Sequence, residues 1–378
     1  MKKIFLYGYY GFSNTGDDLL LQSSIESILK VWPRSVFTTR NYKKTSIPEK
    51  YDKIVHLTNC DEILEDSKST KLVRFFRYTA RLYSEIKGHE LLVFGGGTLW
   101  HTNPNVLSLI LVFWVILCAK LNGSRVIAIG LGVGPINGII ARLVCRTMIL
   151  CCEEICVRDT QSMTNLQSTN KKVRKTADLV YGSTFADEIA KTNNLKFARM
   201  KEKTIAITLT SHLNSEQYSS VSDALKNSIT PFLFESWNLR ILIFQDSDAV
   251  SDLPFAQYIK SSFPKELQEN ISFFNVTSSK EDLTTAFENV SLHIGMRFHG
   301  AVLASIMRIP FIGISDDHKV SSLAKYFSMP FFATEEASSN LNENIINFAL
   351  HQKYDESSFT KIENMGRANF DWFREREN

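Results

Sequence analysis

The segment Gly295-Met-Arg297-Phe-His299-Gly300 carries the side chains best suited to chemistry. Arg297 offers a planar fork of N–H donors that suits a carboxylate or a phosphate. His299 can donate a proton or a hydrogen bond near neutral pH. The segment follows a predicted strand and opens a predicted helix, where free backbone N–H groups favour anions. An Arg-x-His pair is common by chance, but its place between glycines at a helix start predicts an anion site that includes Gly295.

A second segment, Gly8-Tyr-Tyr-Gly-Phe-Ser-Asn14-Thr-Gly-Asp17-Asp18, also joins a strand to a helix. It has neither the Walker nor the G-x-G-x-x-G spacing. A tight turn without a ligand explains the glycines equally well. The two carboxylates would repel a phosphate but can accept hydrogen bonds from sugar hydroxyls. We therefore assign Asn14, Asp17 and Asp18 to a sugar acceptor.

Glycines also follow the predicted strand Leu91–Phe94. Ligands of open α/β sheets bind at the carboxyl ends of parallel strands. We therefore expect Gly96, Gly97 and Thr98 to line a substrate site, with a sharp turn as the alternative. The segment Gly130–Pro135, predicted as a loop, is a weaker case of the same pattern.

Charged side chains lie at three more predicted strand ends. Lys319 ends Ser-Asp-Asp-His-Lys and could add positive charge to the anion site, although surface ion pairing is an equal alternative. Arg158 and Asp178 lie at the other two of these strand ends, in the segments Val-Arg-Asp and Thr-Ala-Asp.

Strands that alternate with helices position these residues. Such alternation predicts parallel sheets with helices on both faces, an α/β fold of two Rossmann-like lobes. We predict an amino-terminal lobe over residues 1–190 on the acceptor side and a second lobe over 203–335 on the donor side. A charged linker over 191–203 joins them, and helices over 336–378 pack back on the first lobe.

Composition excludes several function classes. The chain has 378 residues, and its 43 basic and 40 acidic side chains leave a net charge of only +3, which argues against a nucleic-acid binder. Of the six cysteines, Cys145, Cys151, Cys152 and Cys156 lie close together in apolar sequence without zinc spacing, so we expect no metal and reduced thiols. No secretory leader precedes the first strand, so we expect a cytoplasmic protein.

An unbroken apolar run, Leu109–Ala119, is too short to span a membrane. We predict a helix buried on both sides. The alternative is a peripheral contact with the inner face of a membrane, which would suit a lipid-linked substrate.

The sequence resembles the polysaccharide pyruvyl transferases over about Tyr7 to Lys319. Each shared motif is weak alone, but seven occur in order: GYYGFSNTGDD, GGGTLW, GLGVGP, VRD-x-x-S, TAD, GMRFHG and SDDHKV. The resemblance implies the two-lobed architecture of B-type glycosyltransferases, with the donor in the cleft between the lobes. The family's Arg-Leu-His donor motif falls on Arg297, Phe298 and His299, with phenylalanine in place of leucine.

The resemblance also implies a reaction. Members transfer the enolpyruvyl group of phosphoenolpyruvate to two sugar hydroxyls of an envelope glycan or exopolysaccharide, and a cyclic ketal forms. Arg297 and Lys319 would then hold the donor, His299 would protonate it, and Asp17 or Asp18 would assist the acceptor. No cofactor is required. The acceptor would be a sugar or a lipid-linked oligosaccharide.

The chain departs from the family pattern at one position. Many members carry an arginine where the first strand of the second lobe ends, but here that strand runs into Thr208-Leu-Thr-Ser-His212. Arg158 or His212 could substitute. Two alternatives therefore stay open: a B-type glycosyltransferase that uses a nucleotide sugar, and a non-catalytic carbohydrate-binding protein of envelope assembly.

Overall fold

The structure is a computed structural model that describes residues 1–41, 51–59, 71–167, 171–189, 203–247 and 250–376. The predicted linker over 191–203 lies almost entirely outside the described residues, as does Cys60. The chain divides into two compact units. The first comprises residues 1–13, 17–184 and 362–378, and the second comprises 14–16 and 185–361.

The first unit is built on a parallel sheet with the strand order β3-β2-β1-β4-β6-β7-β8, and β5 pairs with β6 beside this path. Its central strands β4 and β6 are buried along almost their whole length because helices cover both faces. The strands are β1 (Lys2–Tyr7), β2 (Ser35–Asn41), β3 (Val55–Asn59), β4 (Leu91–Gly95), β5 (Thr98–Trp100), β6 (Arg125–Val133), β7 (Glu154–Val157) and β8 (Val173–Lys175).

The second unit is built on another parallel sheet, with the order β11-β10-β9-β12-β13-β14. The strands are β9 (Thr204–Thr208), β10 (Asn238–Ile243), β11 (Ile271–Asn275), β12 (Leu292–Gly295), β13 (Phe311–Ile314) and β14 (Phe331–Phe332). The prediction of an α/β fold with two parallel sheets is confirmed. In the first sheet the strand order reverses between β1 and β4. In the second sheet it reverses between β9 and β12.

Helices follow most of these strands. In the first unit they are α1 (Thr15–Val31), α2 (Lys71–Ile86), α3 (Val106–Leu121), α4 (Ile139–Cys151) and α5 (Thr160–Leu166). In the second they are α6 (Ser215–Phe234), α7 (Leu253–Ser262), α8 (Lys280–Phe287), α9 (Phe298–Ile306), α10 (His318–Tyr326), α11 (Ala337–Asn340) and α12 (Glu343–Leu350). The chain ends with α13 (Glu356–Arg367) and α14 (Asp371–Arg374).

Residues near the carboxyl terminus belong to the first unit, because Asn369 forms hydrogen bonds at the edge of that unit's sheet. The Asn369 side chain is fully buried and accepts hydrogen bonds from the Gly130 amide and the Thr176 hydroxyl, both at 2.8 Å. It donates to the Ala177 carbonyl at 2.9 Å. Of the predicted 336–378 segment, only residues 362–378 belong to this unit, whereas α12 belongs to the second.

The segment Gly130–Pro135 is not the loop that was predicted. β6 continues to Val133, because Leu131 pairs with Val157 and the Gly132 amide donates to the Gly97 carbonyl at 2.8 Å. Backbone pairing therefore explains residues that resembled a ligand loop.

The apolar run Leu109–Ala119 forms most of α3. One face of the helix is buried in the core, and the other is half-buried rather than covered. None of the described helices combines the length and apolar character needed to cross a membrane.

Candidate functional site

Arg297 lies at the point where the strand order of the second sheet reverses. β12 ends at Gly295, and Arg297 occupies the N-cap position of α9. Its Nε donates a hydrogen bond to the carbonyl of Leu209, which follows β9, at 3.0 Å. One side chain therefore joins the carboxyl ends of the two strands between which α/β sheets bind ligands.

A buried carboxylate holds the same guanidinium. The Nη2 atom of Arg297 forms a close ion pair with Asp252. Asp252 immediately precedes α7, and its side chain is fully buried. The Asp252 carboxylate also accepts hydrogen bonds from the backbone amides of Ser211 and Gln245, at 3.3 and 3.2 Å. Burial raises the pKa of Asp252, while the charge and hydrogen bond of Arg297 oppose this rise.

The contacts of Arg297 leave it able to bind an anion. With the residues that the structure describes, they use two of the five N–H donors of the guanidinium. The Arg297 side chain remains 14% exposed. An arginine held in this way presents its remaining donors in a fixed orientation.

His299, in the first turn of α9, packs against the amino-terminal glycine segment. Residues 14–16 belong to the second unit, because Thr15 donates its amide to the Phe244 carbonyl at 2.9 Å and its hydroxyl to the Val276 carbonyl at 2.5 Å. A Cβ added to Gly16 would lie 2.1 Å from Nδ1 of His299. Glycine is required at position 16 to admit the imidazole. The structure thus places His299 against Gly16, two residues after Asn14, although the two segments are distant in sequence.

Close packing explains why glycine occupies positions 295 and 300. A Cβ on Gly295 would lie 2.5 Å from the ring of His293, and one on Gly300 would lie 2.6 Å from the Thr208 hydroxyl. His293 is fully buried and hydrogen-bonds Thr208 through Nε2 at 3.0 Å. Burial lowers the pKa of His293 to about 3, so the ring is neutral. Both glycines therefore admit the His293–Thr208 pair.

Lys319 and His212 also belong to the second unit. Lys319 lies in the first turn of α10, and its ammonium group contacts the Asp317 carboxylate at 2.7 Å. Burial raises the pKa of Asp317, but the charge and hydrogen bonds of Lys319 outweigh it and the net pKa is lowered. His212 is exposed, and its amide donates to the Thr210 hydroxyl at 3.4 Å. The charge of Lys319 is thus balanced locally.

In the first unit, three of the predicted strand-end motifs meet around Arg158. Its guanidinium is buried and contacts the Asp178 carboxylate at 3.2 Å and the Thr98 hydroxyl at 3.0 Å. A Cβ on Gly132 would lie 2.9 Å from the same guanidinium. Gly96 and Gly97 adopt the left-handed conformation, with φ of 78° and 77°, and lead the chain into β5. Arg158 therefore stabilises this sheet edge.

Asp17 and Asp18 lie in the first turn of α1. Asp18 is buried, and the amide of Gly11 donates a hydrogen bond to its carboxylate. Its Oδ1 accepts no hydrogen bond from the part of the chain that the structure describes. Burial, reinforced by the charge of Asp17, raises the pKa of Asp18 to about 7 and outweighs the Gly11 hydrogen bond. A carboxyl group with this pKa can give or take a proton near neutral pH.

Asp252 was not predicted as a site residue from the sequence. The signal was present in Asp252-Leu-Pro, because an aspartate followed closely by proline is a typical helix start. Its ion pair with Arg297 spans 45 residues and has no signature in sequence spacing.

Among the described residues, no three His, Cys, Asp or Glu side chains are grouped as metal ligands. Of the described cysteines, Cys118, Cys145, Cys152 and Cys156 are buried free thiols. Burial raises the pKa of Cys145 to about 11.

Comparisons with known proteins identify both family and fold. The family model described as polysaccharide pyruvyl transferase matches residues 14–318. A search of curated protein sequences found no match.

Solved structures of the same fold are distant in sequence. The UDP-GlcNAc 2-epimerase of Methanocaldococcus jannaschii is 10% identical with a TM-score of 0.58, and the match covers 97% of this chain and 98% of that one. Alr3699/HepE of Anabaena, solved with UDP-glucose, is 11% identical with a TM-score of 0.54 and coverage of 100% and 98%. OtsA, solved in its apo form, is 9% identical with a TM-score of 0.58 and coverage of 100% and 98%. These similarities establish the B-type glycosyltransferase fold.

The close fit between Gly16 and His299 makes a prediction about stability. Gly16→Ala should lower the free energy of unfolding by about 1–3 kcal/mol, because the new methyl group displaces the imidazole. In a His299→Ala background the same change should cost almost nothing, and urea unfolding of the four proteins measures the difference. Equal costs in both backgrounds would contradict the contact.

The raised pKa of Asp18 predicts a dependence of stability on pH. The folded-state pKa of about 7 exceeds the unfolded value near 4, so the contribution of Asp18 to stability is greatest below pH 4 and is lost as the pH rises through 7. Asp18→Asn should remove this loss. As the pH rises from 4 to 8, the free energy of unfolding of the variant should therefore increase by about 2–4 kcal/mol relative to that of the wild type. Urea unfolding across this range measures the effect, with Asp223→Asn, an exposed aspartate of the second unit, as the control. A difference between wild type and Asp18→Asn that does not change with pH would contradict the assignment.

Proposed function

The chain belongs to the polysaccharide pyruvyl transferase family and is a transferase, and from this premise we propose that it transfers the enolpyruvyl group of phosphoenolpyruvate to two hydroxyls of a sugar. The product is a pyruvate ketal on a glycan of the cell envelope or on an exopolysaccharide. The observation that carries the proposal is the Arg297 guanidinium, which Asp252 holds at the strand reversal of the second sheet, two residues before His299.

Phosphoenolpyruvate suits this arrangement because it carries a phosphate and a carboxylate on one carbon. The oriented N–H donors of Arg297 can bind one of these groups through charge-assisted hydrogen bonds. Arg297 is also the N-cap residue of α9, and the amino end of a helix favours negative charge. Lys319 is proposed to contribute a second positive charge when the donor competes with Asp317 for its ammonium group.

In the proposed reaction, His299 gives a proton to the methylene carbon of phosphoenolpyruvate. C2 then has oxocarbenium character, and the oxygen of one sugar hydroxyl forms a bond to it while a carboxylate base takes the hydroxyl proton. The C2–O bond to phosphate breaks, and the second hydroxyl attacks C2 to close the ketal. The second hydroxyl proton leaves with phosphate, so protons and charges balance. Fixed positive charge on the departing phosphate supplies much of the rate.

Asp17 and Asp18 are the proposed bases on the acceptor side. A carboxylate repels the donor phosphate but accepts a hydrogen bond from a sugar hydroxyl. The pKa of about 7 for Asp18 suits a group that removes a proton at neutral pH. Turnover that depends on ionised Asp18 should therefore rise as the pH increases through 7.

A nucleotide-sugar donor is the second candidate, and one observation favours it. The segment from Thr208 to His212 lacks the arginine that many family members carry there. Structures of the same fold have been solved with UDP-glucose and with UDP-GlcNAc, but at 11–12% identity they establish the fold alone. A non-catalytic carbohydrate-binding protein, the third alternative, would not need Arg297 or His299.

The acceptor and the place of reaction complete the proposal. We place the reaction in the cytoplasm at the inner face of a membrane, with a sugar or a lipid-linked oligosaccharide as acceptor. The apolar surface of α3 and α4, in the first unit, supports this placement.

Substitution of Arg297 should mainly weaken donor binding, whereas substitution of His299 should mainly lower kcat. Arg297→Ala removes a charge-assisted contact with the donor, which costs about 2–5 kcal/mol of binding free energy. Arg297→Lys keeps the charge but loses the planar fork, so it should bind phosphoenolpyruvate with intermediate affinity. His299→Gln should instead lower kcat by about 10²–10⁴ with a smaller effect on donor affinity, because a general acid acts in the transition state.

Calorimetric titration with phosphoenolpyruvate and an assay of released phosphate separate these effects. Arg308→Lys is a matched control, because Arg308 pairs with Glu356 on the surface of the same unit. Wild-type turnover by His299→Gln would exclude it as the proton donor. Normal binding of phosphoenolpyruvate by Arg297→Ala would exclude the donor site.

A further inference from the structure

Helix α4 exposes an apolar face. The outward face of a helix packed on a globular unit is normally polar. In α4 four large aliphatic side chains are more than half exposed: Ile139 (77%), Ile140 (66%), Leu143 (56%) and Leu150 (68%). Contiguous exposed apolar surface of this kind marks sites of interaction.

The exposed residues form a stripe with a basic edge. At 100° per residue, Ile139, Leu143 and Leu150 lie within about 40° of one another around the helix axis. Arg142 and Arg146 lie one helical turn apart along one edge of this stripe, and both are exposed. The opposite side of the helix is buried in the core of the first unit.

The neighbouring helix, α3, adds further apolar and basic side chains to this surface. α3 packs against α4 and exposes Leu107 and Leu121 at its ends. Neither helix contains an acidic residue, and Lys120 adds an exposed positive charge. The surface is therefore apolar and basic, without anionic groups on either helix.

We propose that the α4 face, defined as Ile139, Arg142, Leu143, Arg146 and Leu150, binds the surface of an anionic lipid bilayer with the helix axis in the membrane plane. Helices that lie in membrane interfaces combine an apolar face with flanking Lys or Arg. The negative surface of the bilayer complements the two arginines. The proposal rests on the proposed function in that a lipid-linked acceptor would bring the enzyme to this surface.

A second copy of the chain is a poorer partner for this face. In a two-fold symmetric contact the same patch meets itself. Arg142 and Arg146 of one copy would then face the same two arginines of the other, without an acidic residue from α3 or α4 to separate them. The charge of the face thus favours lipid over self-association.

Sedimentation of the full chain with lipid vesicles tests the proposal. Vesicles of phosphatidylcholine mixed with phosphatidylglycerol should bind the chain, and vesicles of phosphatidylcholine alone should bind it weakly. Arg142→Gln/Arg146→Gln should weaken binding about 25-fold, because each basic residue near an anionic surface contributes about fivefold. Leu143→Ser/Leu150→Ser should weaken it at least about tenfold.

Matched controls come from the second unit. Lys265→Gln/Lys361→Gln removes the same charge and Phe348→Ser removes an equally exposed apolar group, and both should bind like wild type. Failure to bind anionic vesicles, or binding that the α4 variants do not weaken, overturns the proposal. A dimer in sedimentation velocity that these variants dissociate, without vesicle binding, also overturns it.

The vesicle experiment is independent of the donor chemistry. The α4 variants should titrate with phosphoenolpyruvate like wild type in the absence of lipid. If the wild type binds vesicles but not phosphoenolpyruvate, the proposed reaction fails and the membrane surface stands.

Discussion

The ion pair between Arg297 and Asp252 is the constraint on which the second unit's site depends. A buried carboxylate without a cation is costly, and removal of one partner from such a pair destabilises a protein by about 3–5 kcal/mol. Asp252 is fully buried, so it requires the guanidinium nearby, while the Leu209 carbonyl fixes the plane of the fork. The sheet topology places both contacts at the strand reversal, where an open α/β sheet leaves room for a ligand. The arginine that is proposed to bind the donor thus also compensates a buried charge.

Several glycines in these motifs make room for side chains from other segments. Gly16 admits His299, and Gly295 and Gly300 admit the buried pair of His293 and Thr208. In the first unit Gly132 makes room for Arg158. Short segments rich in glycine therefore indicate where side chains from distant segments converge. That convergence positions the charged groups that chemistry requires.

The sequence predicted much of the fold, because buried parallel strands appear as short apolar runs. The predicted strand Leu91–Phe94 forms β4, which ends one residue later at Gly95. β2 and β3 were not predicted, because polar residues interrupt their apolar character. The sequence indicates candidate residues where a motif is local, as with Arg297 and His299. It did not indicate Asp252 as the partner of Arg297, because a contact across 45 residues follows from topology rather than spacing. The apolar surface of α4 was likewise overlooked, since Leu109–Ala119 is more hydrophobic in sequence yet is largely buried.

If Arg297 holds phosphoenolpyruvate, this donor stabilises the folded chain, and unfolding of the purified chain with candidate donors measures that stabilisation. Phosphoenolpyruvate at about 100 times its dissociation constant should stabilise the chain by roughly 2.7 kcal/mol. UDP-glucose should leave the stability unchanged, and the effect of phosphoenolpyruvate should vanish in Arg297→Ala. Stabilisation by UDP-glucose without any by phosphoenolpyruvate would contradict the account.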